Sequence, residues 1–91
     1  MNNIETIKFI EIGTSLGTRN LAAKLRGDIL ENLEQKDKIV FDFEGVDVIT
    51  NSFANECFAK LLENISATTF KEKFAFINAN DFIQRVIISS F

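Results

Sequence analysis

The 91-residue chain has no histidine, proline, tryptophan or tyrosine, and a single cysteine, Cys57. Without histidine, and with one thiol, the usual zinc sites and every histidine-based catalytic triad are excluded. One cysteine also rules out an internal disulfide and fits a reducing cytoplasm. Without proline, the turns fall to Gly, Asn, Asp, Ser and Thr. No apolar run approaches the roughly 18 residues of a membrane span, and Glu5 and Glu11 interrupt the opening segment, so no signal peptide is expected.

What is present suits one globular domain spanning residues 1–91. Hydrophobic residues make up 46% and charged residues 25%, which argues against disorder. Ten phenylalanines supply large apolar volume without hydroxyls, a composition made for core packing. The net charge is −3 and the basic residues are scattered, so neither nucleic acid nor an anionic membrane is an expected partner.

The periodicity orders the chain. Ile4 to Ile12 alternates as a strand, with Ile4, Thr6, Lys8, Ile10 and Ile12 on one face and Glu5, Ile7, Phe9 and Glu11 on the other. The turn Gly13–Gly17 precedes a helix from Thr18, a fitting N-cap, to about Glu34, with Leu21, Leu25, Ile29 and Leu33 in one stripe. Gly27 interrupts that helix, and close approach to a sheet or another helix is the simplest reason for it. Ile39–Phe43 reads as a strand buried on both faces of a parallel sheet. The loop Glu44–Asn51 follows, with Gly45 at a position suited to positive φ. A second helix is expected over Phe53–Ile65, a polar connection over Asn64–Glu72 and a third strand over Lys73–Asn78. A last helix carries Phe82, Ile83, Val86 and Ile87, and its final residues fit either helix or strand. The fold class is α/β, with β-α-β-α-β-α order and a three-stranded, mostly parallel core sheet.

Two blocks carry a family likeness: Ile39-Val40-Phe41-Asp42-Phe43-Glu44-Gly45-Val46 and Ile49-Thr50-Asn51-Ser52-Phe53-Ala54-Asn55-Glu56. With Arg19 after Gly17 at the first helix, they resemble a family of small STAS-like domains of unknown function. They are more distantly similar to bacterial anti-sigma-factor antagonists. The resemblance implies a regulatory protein-interaction module. Its implied partner is a histidine-kinase-type ATPase that phosphorylates a serine at the start of the second helix, here Ser52. Asn51 stands where the antagonists carry an acid, and Asn55 where the closer family does. The chain looks shorter than a full STAS domain, so an uncovered sheet edge is expected, open to self-association or to capping by a partner.

Strand direction places the Gly13–Thr18 turn and the Glu44–Ser52 loop on one sheet edge, where partners of α/β proteins bind. On that edge Ser52 is either the N-cap of the second helix or a phosphoacceptor, with Thr50 the alternative acceptor. Arg19 is a cation at a helix start, which the dipole disfavours. It either pairs with Glu56, Asp42 or Glu44, or grips a partner carboxylate or a phosphate on Ser52. Phe53 belongs to this edge if it stays exposed. Asp42, Glu44, Asp47 and Glu56 have ligand chemistry suited to Mg²⁺. No phosphate-binding glycine loop accompanies them, and they read as loop acids and a capping carboxylate. Cys57 falls on an apolar helix face and reads as core. The expected function is therefore a non-catalytic interaction module without a cofactor. A small-ligand or nucleotide sensor using the same edge is the alternative, and an acid- or metal-dependent enzyme is third.

Overall fold

The computed structural model describes residues 3–91. Its main sheet contains β1 (Ile4–Lys8), β3 (Lys38–Asp42) and β5 (Phe74–Ile77), all parallel and in the order β1-β3-β5. A second, two-stranded ladder pairs β2 (Ser15–Leu16) with β4 (Val48–Ile49), also parallel. The helices are α1 (Arg19–Asn32), α2 (Asn51–Cys57), α3 (Ala67–Lys73) and α4 (Asp81–Ser90). The α/β class and the three-stranded parallel sheet agree with the expectation from sequence, whereas β2 and β4 form within the segments expected as a turn and a loop.

The register explains which faces are buried. Glu5, Ile39 and Phe74 lie side by side, as do Ile7, Phe41 and Phe76, and this face carries the core. On the opposite face Ile4, Thr6, Lys8 and Ile77 are exposed, Lys38, Val40 and Ala75 are partly shielded, and Asp42 is buried. β3 is therefore fully buried on one face, and on the other it is half-shielded at Lys38 and Val40 and buried at Asp42. A continuous apolar run does not distinguish a doubly covered strand from one whose outer side chains are merely half-shielded. On β1 the inward face is Glu5 and Ile7, the set with fewer isoleucines.

Phenylalanines assemble the core. Phe9, Phe41, Phe43, Phe53 and Phe58 are all fully buried. Phe9 stacks on Phe43 at 4.7 Å, and Phe58 meets Phe41 at 5.1 Å and Phe76 edge-on at 5.2 Å. These offset and edge-on geometries are the favourable ones for aromatic pairs. Phe9 also explains why β1 stops early: Phe9–Glu11 is a 3-10 turn that carries the ring inward, where sequence alternation extends the strand to Ile12.

The α1 stripe stands as expected, with Ala22, Ile29 and Leu33 buried and Leu21, Leu25 and Leu30 packed beside them. Thr18 caps it, accepting a hydrogen bond from the Leu21 N–H. Gly27 is not at a close approach, because a Cβ there meets nothing within 4 Å. The second helix is shorter than expected: α2 ends at Cys57 and a 3-10 segment continues over Ala59–Glu63. The supposed polar connection contains α3, capped by Ser66, which accepts from the Thr69 N–H at 3.1 Å. α3 holds Phe70 over Phe74, with ring centroids 5.0 Å apart. The final residues stay helical through Ser90, led by the Asn80 cap, which accepts from the Ile83 N–H at 2.8 Å.

Candidate functional site

The β2–β4 ladder brings the Gly13–Thr18 turn against the loop that leads into α2, the neighbourhood expected from strand direction. Thr14 O accepts from the Asp47 N–H at 2.9 Å, and Leu16 O accepts from the Thr50 N–H at 2.9 Å. The second bond holds Thr50 extended, with φ −88° and ψ 159°, so the helix starts one residue later. Thr50, not Ser52, is thus the N-cap of α2. Its Oγ1 accepts from the Phe53 N–H at 3.0 Å and donates to Gly17 O at 3.1 Å, so the hydroxyl is engaged in both directions.

Ser52 becomes the second residue of the helix, half-buried. Among the described residues its hydroxyl has no side-chain hydrogen-bond partner. Asn51 precedes it at the exposed first position. Phe53 is 0% exposed and stacks edge-on against Phe9, so it is core and does not belong to the surface. In α2 every residue from Phe53 to Cys57 except Asn55 is buried, and Phe53 takes the inward side of the first turn.

Glu56 gathers the charges of the site. Its carboxylate lies 3.2 Å from Arg19 Nη1, 2.7 Å from Arg26 Nη1 and 3.0 Å from Lys60 Nζ. Arg26 also donates to the Glu56 backbone carbonyl. This cage joins α1 to α2. The Arg26 and Lys60 hydrogen bonds hold the Glu56 carboxyl at about 2, against an ordinary value of 4.5 and against the opposing effect of burial. Of the partners anticipated for Arg19, Glu56 is the one found. Arg26 and Lys60 were missed, although helical spacing carries the signal. Arg19 and Arg26 are two turns apart on α1, and Lys60 follows Glu56 by four residues.

Burial distinguishes the three cations. The Arg19 side chain is 57% exposed, that of Lys60 39% and that of Arg26 22%, around a Glu56 side chain that is 11% exposed. Arg19 is therefore the outermost member, and Ser52 lies one turn before Glu56 on the same face of α2. Arg19, through its ion pair, and Ser52, through helical spacing, thus both border the Glu56 carboxylate, and Asn51 is the exposed residue beside Ser52.

The remaining acids do not form a metal centre. Among the described residues no three potential ligands converge. Asp42 Oδ1 accepts from the Asn78 amide at 3.0 Å and the Glu44 N–H at 2.9 Å. These bonds, Asn78 first, hold its carboxyl below the usual carboxylate range. Asn78 has φ 58°, a left-handed conformation that asparagine tolerates. Gly45, with φ 83°, makes the expected turn and floors a cleft of about 300 Å³ shared with Lys8, Ile10, Asp42 and Glu44. Cys57 is buried, and desolvation pushes its thiol up to about 12. No helix among the described residues is long and apolar enough to cross a membrane.

Residues 22–84 match the family model described as a STAS-like domain of unknown function (DUF4325). The matched span runs from α1 to the first turn of α4 and includes Ser52, Glu56, Arg26 and Lys60. Neither a curated protein nor a solved structure matches the chain.

Proposed function

Because the chain belongs to the family of STAS-like domains, we propose that it is a non-catalytic regulatory module. It docks a protein partner through the surface formed by Arg19, Asn51 and Ser52, and phosphorylation of Ser52 controls the contact. By similarity to anti-sigma-factor antagonists, the partner is a histidine-kinase-type ATPase that acts as the kinase.

One observation carries this reading: the free hydroxyl of Ser52 lies one helical turn from a carboxylate whose outermost cation, Arg19, is solvent-exposed. A phosphate there adds about −1.5 to −2 charge. It is favoured at the second position of a helix, where unpaired N–H groups and the dipole attract anions. It also competes with Glu56 for the Arg19 guanidinium, while Arg26 and Lys60 keep Glu56 neutralised. The surface thus changes charge and the orientation of one arginine without disturbing the α1–α2 contact. Thr50 offers no such switch, because both faces of its hydroxyl are engaged.

The test is affinity capture from the native host with wild-type protein and with Ser52→Ala, Ser52→Asp and Arg19→Ala variants. The wild type and Ser52→Ala should retain an ATPase partner, and Ser52→Asp and Arg19→Ala should lose it. Intact-mass analysis should show a phosphate on the wild type that Ser52→Ala lacks. If all four proteins recover the same partners and none carries phosphate, the reading fails.

A further inference from the structure

Asn80 uses one side-chain amide for two duties. Its Oδ1 accepts from the Ile83 N–H at 2.8 Å and so caps α4. Its Nδ2 donates to Asp47 O at 3.0 Å and to Val46 O at 3.4 Å, in the loop before β4. A carboxamide carries an acceptor and two N–H groups, so it can serve both elements at once. Capping needs only the acceptor. The bonds to the loop are therefore a separate duty that α4 does not require.

The loop held in this way leads directly into α2. The Asp47 N–H donates to Thr14 O at 2.9 Å, β4 pairs with β2, and the Thr50 N–H donates to Leu16 O at 2.9 Å. Thr50 then caps α2 two residues before Ser52. Asp47 is exposed, yet its N–H and its C=O are both engaged. The same connection grips the other end of the loop, where Asn78 Nδ2 donates to Asp42 Oδ1 at 3.0 Å. Gln84 stiffens it from the helix, donating to Ala79 O at 2.8 Å. The buried Ile83, Val86 and Ile87 anchor α4 itself in the core.

We propose that Asn80 is a positioning residue for the Ser52 surface. It fixes the loop that sets the start of α2, and so makes the placement of Thr50 and Ser52 depend on α4. Its consequence for partner binding rests on the role proposed for Ser52, whereas its consequence for the loop does not. An exposed segment opens locally according to the few bonds that hold it. Removing the amide donor while keeping the cap acceptor frees the loop and leaves α4 in place.

Residue-by-residue amide exchange of the whole chain, with Asn80→Ser, Asn80→Asp and Asn80→Ala beside the wild type, tests this. Serine and aspartate keep an acceptor for the Ile83 N–H, and neither supplies two N–H groups to the loop. In both variants the Asp47 and Thr50 amides should exchange about tenfold faster, the loss of roughly one net hydrogen bond. The Ile83 amide should keep its protection in both, and only Asn80→Ala should lose it. In affinity capture from the native host, Asn80→Ser should carry less phosphate on Ser52 and less partner than the wild type. Wild-type exchange at Asp47 and Thr50 in the serine and aspartate variants overturns the proposal. So does an acceleration shared equally by the amides of the sheet, which is a general loss of stability. Loosened loop amides with wild-type levels of phosphate and partner overturn the positioning role as well. A wild type with neither phosphate nor partner defeats the role of Ser52 instead, and Asn80 is then judged on the exchange pattern alone.

Discussion

Arg26 holds Glu56 twice, through its carboxylate at 2.7 Å and through its backbone carbonyl, and so ties α1 to α2 at positions thirty residues apart. A carboxyl held at about 2 in the folded chain and near 4.5 when unfolded stabilises the fold only while it is ionised. The stabilisation is complete above the unfolded value and disappears as pH falls through the folded one. Glu56→Gln should therefore be less stable than wild type at neutral pH, with the gap closing between about 4.5 and about 2. Other carboxylates, Asp42 among them, titrate in both proteins and cancel in the difference. Urea unfolding across that range measures the gap, and a gap independent of pH would contradict the cage.

Gly27 sits in the middle of α1 with open space where a side chain would be. Gly27→Ala should stabilise the domain by about 1 kcal/mol, since alanine restricts the unfolded chain and favours helix. For a domain of this size that corresponds to a rise of roughly 4–8 °C in Tm. A fall in Tm would mean that the glycine serves a contact the isolated chain does not show.

The capping assignment predicts an order of effects on α2. Thr50→Ala removes the acceptor for the Phe53 N–H and the donor to Gly17 O, and should cost about 1 kcal/mol or somewhat more. Ser52→Ala removes no intrachain hydrogen bond and replaces serine by a better helix former, so it should be neutral or slightly stabilising. Denaturation midpoints of the two variants decide between the caps. Were Ser52→Ala the more damaging, the helix would start where the sequence first suggests.

Cys57 is buried against the core, and its thiol is pushed up to about 12 from 9.0. At mildly alkaline pH it should resist iodoacetamide in the folded protein and react once urea unfolds the chain. Rapid labelling of native protein would show that α2 opens readily.

Much of the fold was legible because its signals are local. The α1 stripe needs only a 3.6-residue period, and the caps at Thr18 and Asn80 act over three residues. The turn at Gly45 follows from a backbone conformation that glycine alone adopts freely. α3 was missed although Ser66 announces it, because a run of Thr, Lys and Glu carries little apolar periodicity. It is stabilised by Phe70 meeting Phe74 and Phe76.

At the site, sequence marked Arg19, Ser52 and Glu56, but the contacts they make depend on distant parts of the chain. Ser52 and Thr50 are equally good caps by residue type. The choice fell to Thr50 because Leu16, on a different strand, fixes it in an extended conformation. Phe53 had an exposed or a buried future, decided by Phe9 and Phe58 waiting on the inner side.

The segment from Lys38 to Leu62 shows the division. Its strand, turn and helix follow from its own residues, since backbone preference and side-chain period act over a few positions. Three features came from outside it: Thr50 as the cap, the Arg19 and Arg26 pairs on Glu56, and the half-shielded outer face of β3. Each depends on partners brought together only when the sheet and helices close, through contacts that no local pattern encodes.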